Sequence, residues 1–525
     1  MQIFDTLGNK KTELEFSDKV RIYLCGVTVY DDAHIGHART IIVFDVLRRF
    51  LESQKIPVEL VQNFTDVDDK IIQRAQKDKT PSLEIVEKYT KNYFDDFDRL
   101  NVKRATMYPK AREHIQDMLD LIKNLKDNGY AYVKKEGEET GVYFSIPSLR
   151  GRVKKTGKRL TVYGKLSKKT INELVSAAKR KSQATLKENK KKMRALLDTR
   201  QGMNVITSEQ PYVKKLHAEI DKLKDKVIAE EKQKDEILDF ALWKFSDYSV
   251  TWDSPWGKGR PGWHIECSAM SLKYLGENFE IHGGGRDLIF PHHENEIAQS
   301  ESMTLKHFAK IWMHVGMVTI DKVKMSKSDG NVKTVKHVFE NWGSNIIRLF
   351  CLSGHYTKPI DYTEKLLREN ITKLRQIESC YYELRLAEGT SDGTIAEKLV
   401  KEFREKFDSA LNDDLNTPLA LSIFYKLIRN VIALAAEEKI TQTYAEIILP
   451  EFERISDILG IQIMKVTDEE KNEISQMIKK RDEYRVVKNY VEADKIRDKI
   501  AKKNIIFVDH KNKTTWVKQE KINAE

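Results

Sequence analysis

Two histidines flank an isoleucine-glycine pair in the segment His34-Ile35-Gly36-His37. The segment follows a predicted strand and begins a predicted helix, so backbone N–H groups and the helix dipole would face an anionic ligand there. Both imidazoles can donate hydrogen bonds to phosphate, and Gly36 would let a nucleotide approach the backbone closely. Alone, a four-residue motif of this kind is weak evidence, because isolated histidines are more often packing or surface residues.

A second candidate for phosphate chemistry is the polar loop Lys324-Met325-Ser326-Lys327-Ser328, which follows a strand-like segment at residues 317–320. Two lysines on one loop can neutralise charge on a leaving pyrophosphate, and a loop can close over a bound nucleotide. Taken alone, this pentapeptide is read more simply as a basic surface loop.

Thiol, imidazole and carboxylate groups, the ligand types that zinc accepts, occur at Cys25, Cys267, His292 and Glu296. If the segment from His292 is helical, His292 and Glu296 share one face, and His293 is a rival for the same role because it lies three residues from Glu296. The two cysteines are 242 residues apart, so spacing alone leaves open that they are buried core thiols.

The elements that would carry these groups follow a β–α–β rhythm. Apolar segments at 20–25 and 57–64 enclose a helical pattern at 36–54, and alternation returns between residues 238 and 320. A strand, a crossover helix and a second strand predict an α/β fold with a parallel sheet, whose ligand sites lie at the carboxyl ends of its strands. Residues 25–37 and 63–70 would lie at that edge.

The composition predicts a multidomain protein that lies outside the membrane. A chain of 525 residues is too long for one core, and 33% charged residues are too many for a membrane protein. The start of the chain lacks the basic region and apolar run of a signal peptide, and we find no segment long enough to span a bilayer. We therefore expect a cytoplasmic location. Four widely spaced cysteines without a C-x-x-C pair argue against a disulfide framework.

Positive charge is concentrated in one part of the chain. The net charge is +11, and residues 151–234 contain 24 Lys and Arg against 9 Asp and Glu, a local balance of +15. This block is either a phosphate-binding surface or a solvated face of helices. As a hypothesis, we assign it to a helical hairpin that adds nonspecific affinity for nucleic acid.

The two phosphate motifs, in this order and context, resemble the HIGH and KMSKS signatures of class I aminoacyl-tRNA synthetases. Further segments resemble the cysteinyl-tRNA synthetase family over nearly the whole chain, except for most of the lysine-rich block. These segments are Leu24-Cys25-Gly26-Val27-Thr28-Val29-Tyr30, Gly262-Trp263-His264-Ile265-Glu266-Cys267-Ser268, His282-Gly283-Gly284-Gly285-Arg286-Asp287 and Pro291-His292-His293-Glu294-Asn295-Glu296.

The resemblance implies that L-cysteine is held through its thiol on a zinc ion, activated with ATP and then transferred to tRNA(Cys). It also implies that Mg²⁺ accompanies ATP and that there is no editing domain. The implied zinc ligands are Cys25, Cys267, His292 and Glu296. The remaining implied roles are catalysis and ATP binding by His34, His37, Lys324 and Lys327 with Gly36, ATP ribose contact by Asp287, and amino-acid contact by Thr65 and Trp263.

The C-terminal arm resembles the anticodon-binding domain of the family. Arg485, Tyr490, Asp494 and Asp509 occupy matching positions, although Tyr490 replaces a common tryptophan. Arg and Asp can read base edges in an unpaired loop, and a tyrosine can stack on a base. Two alternatives remain, a zinc-using ligase that joins cysteine to an amino sugar and an inactive tRNA-binding relative. The long helical arm argues against the first, and the intact phosphate motifs argue against the second.

The resemblance also implies a Rossmann-like catalytic domain, a helical bundle, a small α+β anticodon-binding domain and a monomeric state. The predicted boundaries are 1–107 and 237–330 for the two halves of the catalytic domain, 108–236 for a connective insertion with the lysine-rich block at about 170–234, 331–375 for a stem-contact segment, 376–465 for the bundle and 466–525 for the anticodon-binding domain.

Overall fold

The structure is a computed structural model that describes residues 1–135, 140–149, 162–176, 187, 191, 238–246, 250–325, 330–510 and 514–524. The strands are β1 (Gln2–Asp5), β2 (Lys10–Glu13), β3 (Val20–Thr28), β4 (Val58–Thr65), β5 (Ala131–Lys134), β6 (Gly141–Phe144), β7 (Phe240–Phe245), β8 (Gly259–Pro261), β9 (Phe279–Gly285), β10 (Ala309–Val315), β11 (Val318–Ile320), β12 (Val323–Lys324), β13 (Ile360–Tyr362), β14 (Ile505–Asp509) and β15 (Thr514–Lys518).

The longer helices are α1 (Ile35–Ser53), α2 (Asp69–Asp78), α3 (Ser82–Arg99), α4 (Ile115–Asp127), α5 (Trp263–Leu275), α6 (Glu294–Thr304), α7 (Val335–Leu352), α8 (Glu364–Arg385), α9 (Thr394–Asn412), α10 (Thr417–Ala436), α11 (Gln442–Leu459), α12 (Asp468–Val486) and α13 (Tyr490–Ala501).

A four-stranded parallel sheet in the order β10-β9-β3-β4 joins two strands from residues 20–65 to two strands from residues 279–315. The predicted α/β fold with a parallel sheet is therefore confirmed. Successive residues of β3 point to opposite faces of the sheet. Ile22 and Leu24 join the core that contains α1, whereas Tyr23 and Cys25 join the core that contains α5. Both faces of the sheet are covered, which explains the continuous apolar run of β3.

An antiparallel sheet in the order β5-β6-β7-β8 joins two strands of the predicted insertion, β5 and β6, to two strands of the range predicted as the second catalytic half, β7 and β8. β6 and β7 are neighbours in this sheet although about a hundred residues separate them in the chain. The predicted helices of the lysine-rich block lie outside the described residues, apart from residues 170–176, 187 and 191. The predicted domain boundaries stay predictions.

Helices α8 to α11 pack against one another after the catalytic region, and α12, α13 and the hairpin β14-β15 follow them. One described helix, α10, is long and apolar enough to cross a membrane by length and composition. The expectation that no segment meets this criterion was therefore wrong. The physical reason is that α10 packs against both α8 and α9, and its buried face includes Phe424, Leu427, Ile428 and Val431.

A buried ion pair joins α1, which packs on the parallel sheet, to α7, which precedes the helices α8 to α11. The Arg348 guanidinium of α7 donates to Asp45 Oδ2 of α1 at 2.6 Å, and neither side chain is exposed by more than 1%. Arg348 also donates to the carbonyl oxygens of Leu459 (2.8 Å) and Leu100 (3.0 Å), and Arg49 donates to Asp45 Oδ2 at 2.9 Å. One guanidinium thus connects α1, α7, α3 and α11.

Replacing the buried carboxylate leaves Arg348 without its counter-charge and leaves Arg49 with its pair to Asp457. We expect Asp45→Asn to lower the free energy of unfolding by about 3 kcal/mol, as for other broken buried pairs. The matched control is Asp95→Asn, which removes the exposed pair with Lys91 on α3 and should cost no more than about 0.5 kcal/mol. Urea denaturation followed by tryptophan fluorescence gives both values. Equal losses in the two variants would contradict the structural role of Asp45.

Candidate metal centre and nucleotide cavity

An irregularity in β3 positions the thiol of Cys25. The parallel pairing of β3 with β4 changes register between Leu24 and Val27, so Cys25 and Gly26 form a bulge. A bulge bends the strand and re-aims a side chain. The Gly26 N–H donates to Asn63 Oδ1 at 2.9 Å, and a Cβ on Gly26 would lie 1.5 Å from the Asn63 carbonyl oxygen. Only glycine fits here, and its fit sets the position of Cys25.

Four buried side chains converge on one point beside this bulge. One ligand atom from each of Cys25, His292, His293 and Glu296 lies within 4.8 Å of the others. His293 Nε2 lies 3.2 Å from Cys25 Sγ, and His292 Nε2 lies 3.0 Å from Glu296 Oε1. The i,i+4 spacing of His292 and Glu296 therefore places both on one face, as their sequence positions predict.

The second thiol contacts the same group from α5. Cys267 Sγ lies 3.8 Å from Cys25 Sγ and 3.7 Å from Asn63 Oδ1. The structure thus brings together all four predicted ligands, and it brings the rival His293 to the same place. With two thiols, imidazole and carboxylate within one dry pocket, the donor set fits zinc.

Further histidines surround the cluster and escaped the sequence analysis. His282 Nε2 lies 2.8 Å from Glu296 Oε2. On the other side, His293 Nδ1 lies 2.8 Å from His314 Nε2, whose Nδ1 lies 2.8 Å from Thr6 Oγ1. His282 lies in the middle of β9, and His314 lies next to the end of the neighbouring strand β10. A histidine within a buried strand was the signal that could have identified them.

The charges of the cluster follow from burial and its neighbours. Burial opposes ionisation of Glu296, but His282 and His292 outweigh it and hold the pKa of that carboxyl well below its usual range. Burial lowers the pKa of His293 well below its usual value, so this imidazole is neutral. The Cys25 thiol donates a hydrogen bond that lowers the pKa of Cys267 to about 6. Carboxylate, neutral imidazole and thiolate are the forms that bind a metal.

Two of the predicted ligands carry a proton, Cys25 and His292. Burial raises the pKa of the Cys25 thiol well above its usual value. Burial lowers the pKa of His292, but Glu296 and Cys267 outweigh burial and raise the pKa of His292 to about 10. Because a metal binds the neutral imidazole, binding of a metal to His292 must release a proton from that ring. The indole of Trp263 stacks on the His292 ring with 4.1 Å between ring centroids, and it limits how that ring can turn.

One cavity of about 530 Å³ extends from the cluster to both phosphate motifs. Its wall begins at Cys25 and Trp263 and continues past Asp287 to the histidine motif and Met325. An amino acid held at the thiol end would therefore lie in the same space as a nucleotide held at the histidine end. The predicted substrate residue Trp263 and the predicted ribose contact Asp287 both line this cavity.

The two histidines of the motif cap the start of α1 by hydrogen bonds to each other's backbone. The His37 N–H donates to His34 Nδ1 and the His34 N–H donates to His37 Nδ1, both at 3.3 Å, and the rings stack with centroids 3.7 Å apart. Because Nδ1 accepts in each ring, the neutral imidazoles carry their protons on Nε2, where they can donate. A Cβ on Gly36 would lie 3.0 Å from the His34 ring and 3.2 Å from Met325 Cε, which explains the glycine.

The lysine loop returns to this motif. Lys324 ends β12, and Lys327 lies outside the described residues. On the C-terminal side of this loop, the Ile35 N–H donates to the Lys333 carbonyl at 3.0 Å and the Val335 N–H donates to the Ala33 carbonyl at 2.8 Å. The loop that carries the predicted lysines is therefore attached at its exit to the start of α1.

Thr65 is placed differently from Trp263 and Asp287. Its hydroxyl is buried and donates to Glu266 Oε2 at 2.9 Å, and the residue is not among those that line the cavity. Glu266 is fully buried, and burial followed by the nearby Cys267 raises its pKa well above the usual range. Thr65 and Glu266 therefore lie beside Cys267 without lining the cavity. The sequence analysis assigned no role to Glu266.

The predicted nucleic-acid contacts lie far along the chain, on α12, α13 and β14. Arg485 Nη1 lies 3.8 Å from Asp509 Oδ2, and both side chains are more than half exposed. Tyr490 is the first residue of α13 and is 58% exposed, and Asp494 lies one turn further along the same helix, also exposed. The four residues are accessible, and Arg485 and Asp509 are in contact.

Comparison with known proteins extends over the whole chain. The family model described as the class I (C) tRNA synthetase catalytic domain matches residues 12–198 and 198–372, and the DALR domain matches residues 406–463. The cysteine–tRNA ligase of Thermodesulfovibrio yellowstonii is 39% identical over 544 residues, covering 98% of this chain and 99% of the relative. That of Aquifex aeolicus is 38% identical over 555 residues, covering 99% of each.

A solved structure has the same fold at low identity. Mycobacterium tuberculosis methionyl-tRNA synthetase, in complex with methionyl-adenylate, superposes with a TM-score of 0.54 at 14% identity. The match covers 85% of this chain and 90% of that one. At this identity the likeness concerns the fold alone.

The close approach at the bulge predicts a large effect from a small substitution. Gly26→Ala places a methyl group on the Asn63 carbonyl, so β3 and β4 must separate, and we expect a loss of about 2–3 kcal/mol in the free energy of unfolding. The control Gly354→Ala adds the same methyl group where the nearest atom is 3.5 Å away, and it should change stability by less than about 1 kcal/mol. Thermal unfolding of the two variants measures the difference, and a neutral Gly26→Ala would refute the packing at the bulge.

Proposed function

The chain belongs to the cysteine–tRNA ligase family of class I tRNA synthetases, and from this premise we propose that it joins L-cysteine to the 3′-terminal adenosine of tRNA(Cys), using ATP and a zinc ion that selects the substrate thiol. The observation that carries the proposal is the single cavity of about 530 Å³ that joins the thiol-imidazole-carboxylate cluster to the paired histidines. That space suits an amino acid and a nucleotide side by side.

The proposed zinc ligands are Cys25, Cys267, His292 and Glu296. Zinc bound there would supply selectivity, because it bonds strongly to a thiolate and weakly to a hydroxyl that stays protonated. Serine is nearly isosteric with cysteine, and a hydrocarbon pocket discriminates poorly between such side chains. We therefore propose that the enzyme needs no editing domain.

Activation of the amino acid depends on position and charge. The substrate carboxylate is ionised at neutral pH, so one of its oxygens can attack the α-phosphorus of ATP without a general base while pyrophosphate leaves. His34 and His37, each with a donor at Nε2, would stabilise the phosphate in the transition state. Lys324 and Lys327 would neutralise the pyrophosphate, together with the Mg²⁺ that accompanies ATP.

Transfer takes place at the same carboxyl group, which the adenylate has activated. The 2′-hydroxyl of the terminal adenosine attacks the carbonyl carbon of the adenylate, AMP leaves with the bonding electrons, and the hydroxyl proton is released. Asp287 at the cavity wall is the proposed ribose contact for ATP, and Trp263 is the proposed amino-acid contact. Thr65, which does not line the cavity, is proposed to position the cluster through its hydrogen bond to Glu266. The cytoplasmic location and the monomeric state stay predictions.

Selection of the tRNA is assigned to the exposed surface formed by Arg485, Tyr490, Asp494 and Asp509. Arg and Asp side chains can pair with the edges of unpaired bases, and an exposed tyrosine offers a stacking face. This surface is on the C-terminal hairpin and its two helices, separate from the cavity. Binding of tRNA and activation of cysteine can therefore be separated by mutation.

The proposal predicts cysteine-dependent ATP–pyrophosphate exchange and charging of tRNA(Cys) transcripts by the purified protein. Arg485→Ala should leave exchange unchanged and lower kcat/KM for charging about 5- to 150-fold, the loss expected when one base contact of about 1–3 kcal/mol disappears. The control Lys401→Ala removes an exposed positive charge from α9 and should charge tRNA normally. Exchange without charging in the unmodified protein would exclude the tRNA ligase activity.

The metal assignment predicts a graded response of two variants at the cluster. Cys267→Ala removes a proposed ligand and should weaken zinc binding more than about 100-fold, with loss of discrimination between cysteine and serine in the exchange assay. His293→Ala removes a supporting imidazole and should weaken binding about 10-fold. Competition with a chromogenic chelator measures both affinities.

A buried cysteine outside the cluster provides the control for these two variants. Cys380→Ala on α8 should keep both the zinc and the discrimination, because Cys380 lies in the helical core. If His293→Ala loses zinc completely while Cys267→Ala retains it, His293 is the ligand and the proposed set is wrong.

A further inference from the structure

The helix that follows the lysine loop, α7, is broken near its middle. Gly343 has a φ of 75° and leaves the helical region, so α7 consists of two halves. The first half starts beside the paired histidines, where the Ile35 N–H donates to the Lys333 carbonyl. The second half is anchored in the core by Arg348 and Asp45. The break separates a part attached to the cavity from a part fixed in the core.

The segment 519–524 spans this break from outside. The Ala524 N–H donates to the Asn341 carbonyl at 3.0 Å, and Asn523 Nδ2 donates to the Glu340 carbonyl at 2.7 Å. Both acceptors belong to the first half of α7. The segment therefore supplies partners to carbonyl groups that lose their intrahelical donors at the break.

Glu520 reaches the second half. Its carboxylate accepts a hydrogen bond from Asn345 Nδ2 at 2.7 Å and another from the Ser344 N–H, so it caps the new helix start that follows Gly343. A Cβ on Gly343 would lie 2.4 Å from Glu520 Oε1, so the glycine and the carboxylate fit each other. The Glu520 N–H donates to Glu378 Oε1 of α8 at 2.7 Å, which fixes the segment itself.

The other end of this segment is the hairpin that carries the proposed tRNA contact. β15 ends at Lys518, immediately before the segment begins, and its partner strand β14 ends at Asp509, which contacts Arg485. Only one residue separates the hairpin from Glu520. The path from the hairpin to the cavity is therefore short: the hairpin, Glu520 bound to the second half of α7, Asn523 and Ala524 bound to the first half, and the start of α1.

We propose that Glu520 is a positioning residue that splints α7 at Gly343 and couples the C-terminal hairpin to the nucleotide end of the cavity. The inference rests on the proposed function, because it takes the hairpin to be the tRNA-binding surface. With the splint in place, tRNA held by the hairpin fixes the angle between the two halves of α7 and the position of residues 330–334 beside His34. Without Glu520 the halves can change their angle independently of the hairpin.

The test separates the two reactions in the full chain. We expect Glu520→Ala to keep cysteine-dependent exchange within twofold of the unmodified protein and to lower kcat for charging, at saturating tRNA, about tenfold, with KM for tRNA little changed. Glu520→Gln retains one acceptor oxygen and should give an intermediate kcat. Gly343→Ala displaces the carboxylate from the other side and should reproduce the effect of Glu520→Ala.

The control is Glu402→Ala, which removes an exposed carboxylate paired with Lys406 within α9 and leaves both the splint and the hairpin intact. It should keep the kcat for charging. A parallel fall of exchange, charging and melting temperature in Glu520→Ala would show a merely structural role and overturn the inference. A higher KM for tRNA at unchanged kcat would also overturn it. Absence of exchange in the unmodified protein would instead overturn the proposed function and this inference together.

Discussion

The bulge in β3 is the constraint on which the site depends. A parallel strand in the centre of a sheet directs alternate side chains to its two faces, and regular pairing would continue through residue 28. The contact between the Gly26 backbone and Asn63 interrupts this pairing and holds Cys25 at the cluster. Asn63 also lies against Cys267, so one amide supports both thiols. The position of the metal site is thus a property of the sheet and not of a loop.

Electrostatics explains why so many histidines gather at this point. A buried carboxylate is costly unless it is paired, and Glu296 has His282 on one oxygen and His292 on the other. His293 is in turn oriented by a contact with His314, and the other ring nitrogen of His314 contacts the hydroxyl of Thr6 on the N-terminal segment. The imidazoles balance the buried carboxylate in two ways, because His292 is protonated beside it and His293 stays neutral.

Sequence reasoning succeeded where one local pattern was enough and failed where neighbours in space decided. The strand, helix and strand around the histidine motif were placed within a few residues, and the i,i+4 pair of His292 and Glu296 faces the cluster as predicted. His282 and His314 were missed because the pairing of β9 with β10 is not visible in the chain. Thr65 shows the same limit, since its contact with Glu266 bridges 201 residues. The lysine-rich block lies almost wholly outside the described residues, so the hairpin hypothesis for it remains a prediction.

The short distance along the chain between the two ends of the cavity has a mechanistic consequence. Cys25 and His34 are nine residues apart, which limits their separation to about 30 Å even in an extended chain. Cys25 lies within β3, and His34 begins the helix that follows it, so any shift of β3 moves the thiol end and the nucleotide end together. Cys267, His292 and Glu296 come from a distant part of the sequence and close around this fixed pair. Under the proposed function, selection of the amino acid and alignment of the nucleotide therefore depend on one short segment of the chain, and a side chain that fails to seat at the thiol end would not place its carboxylate correctly at the other.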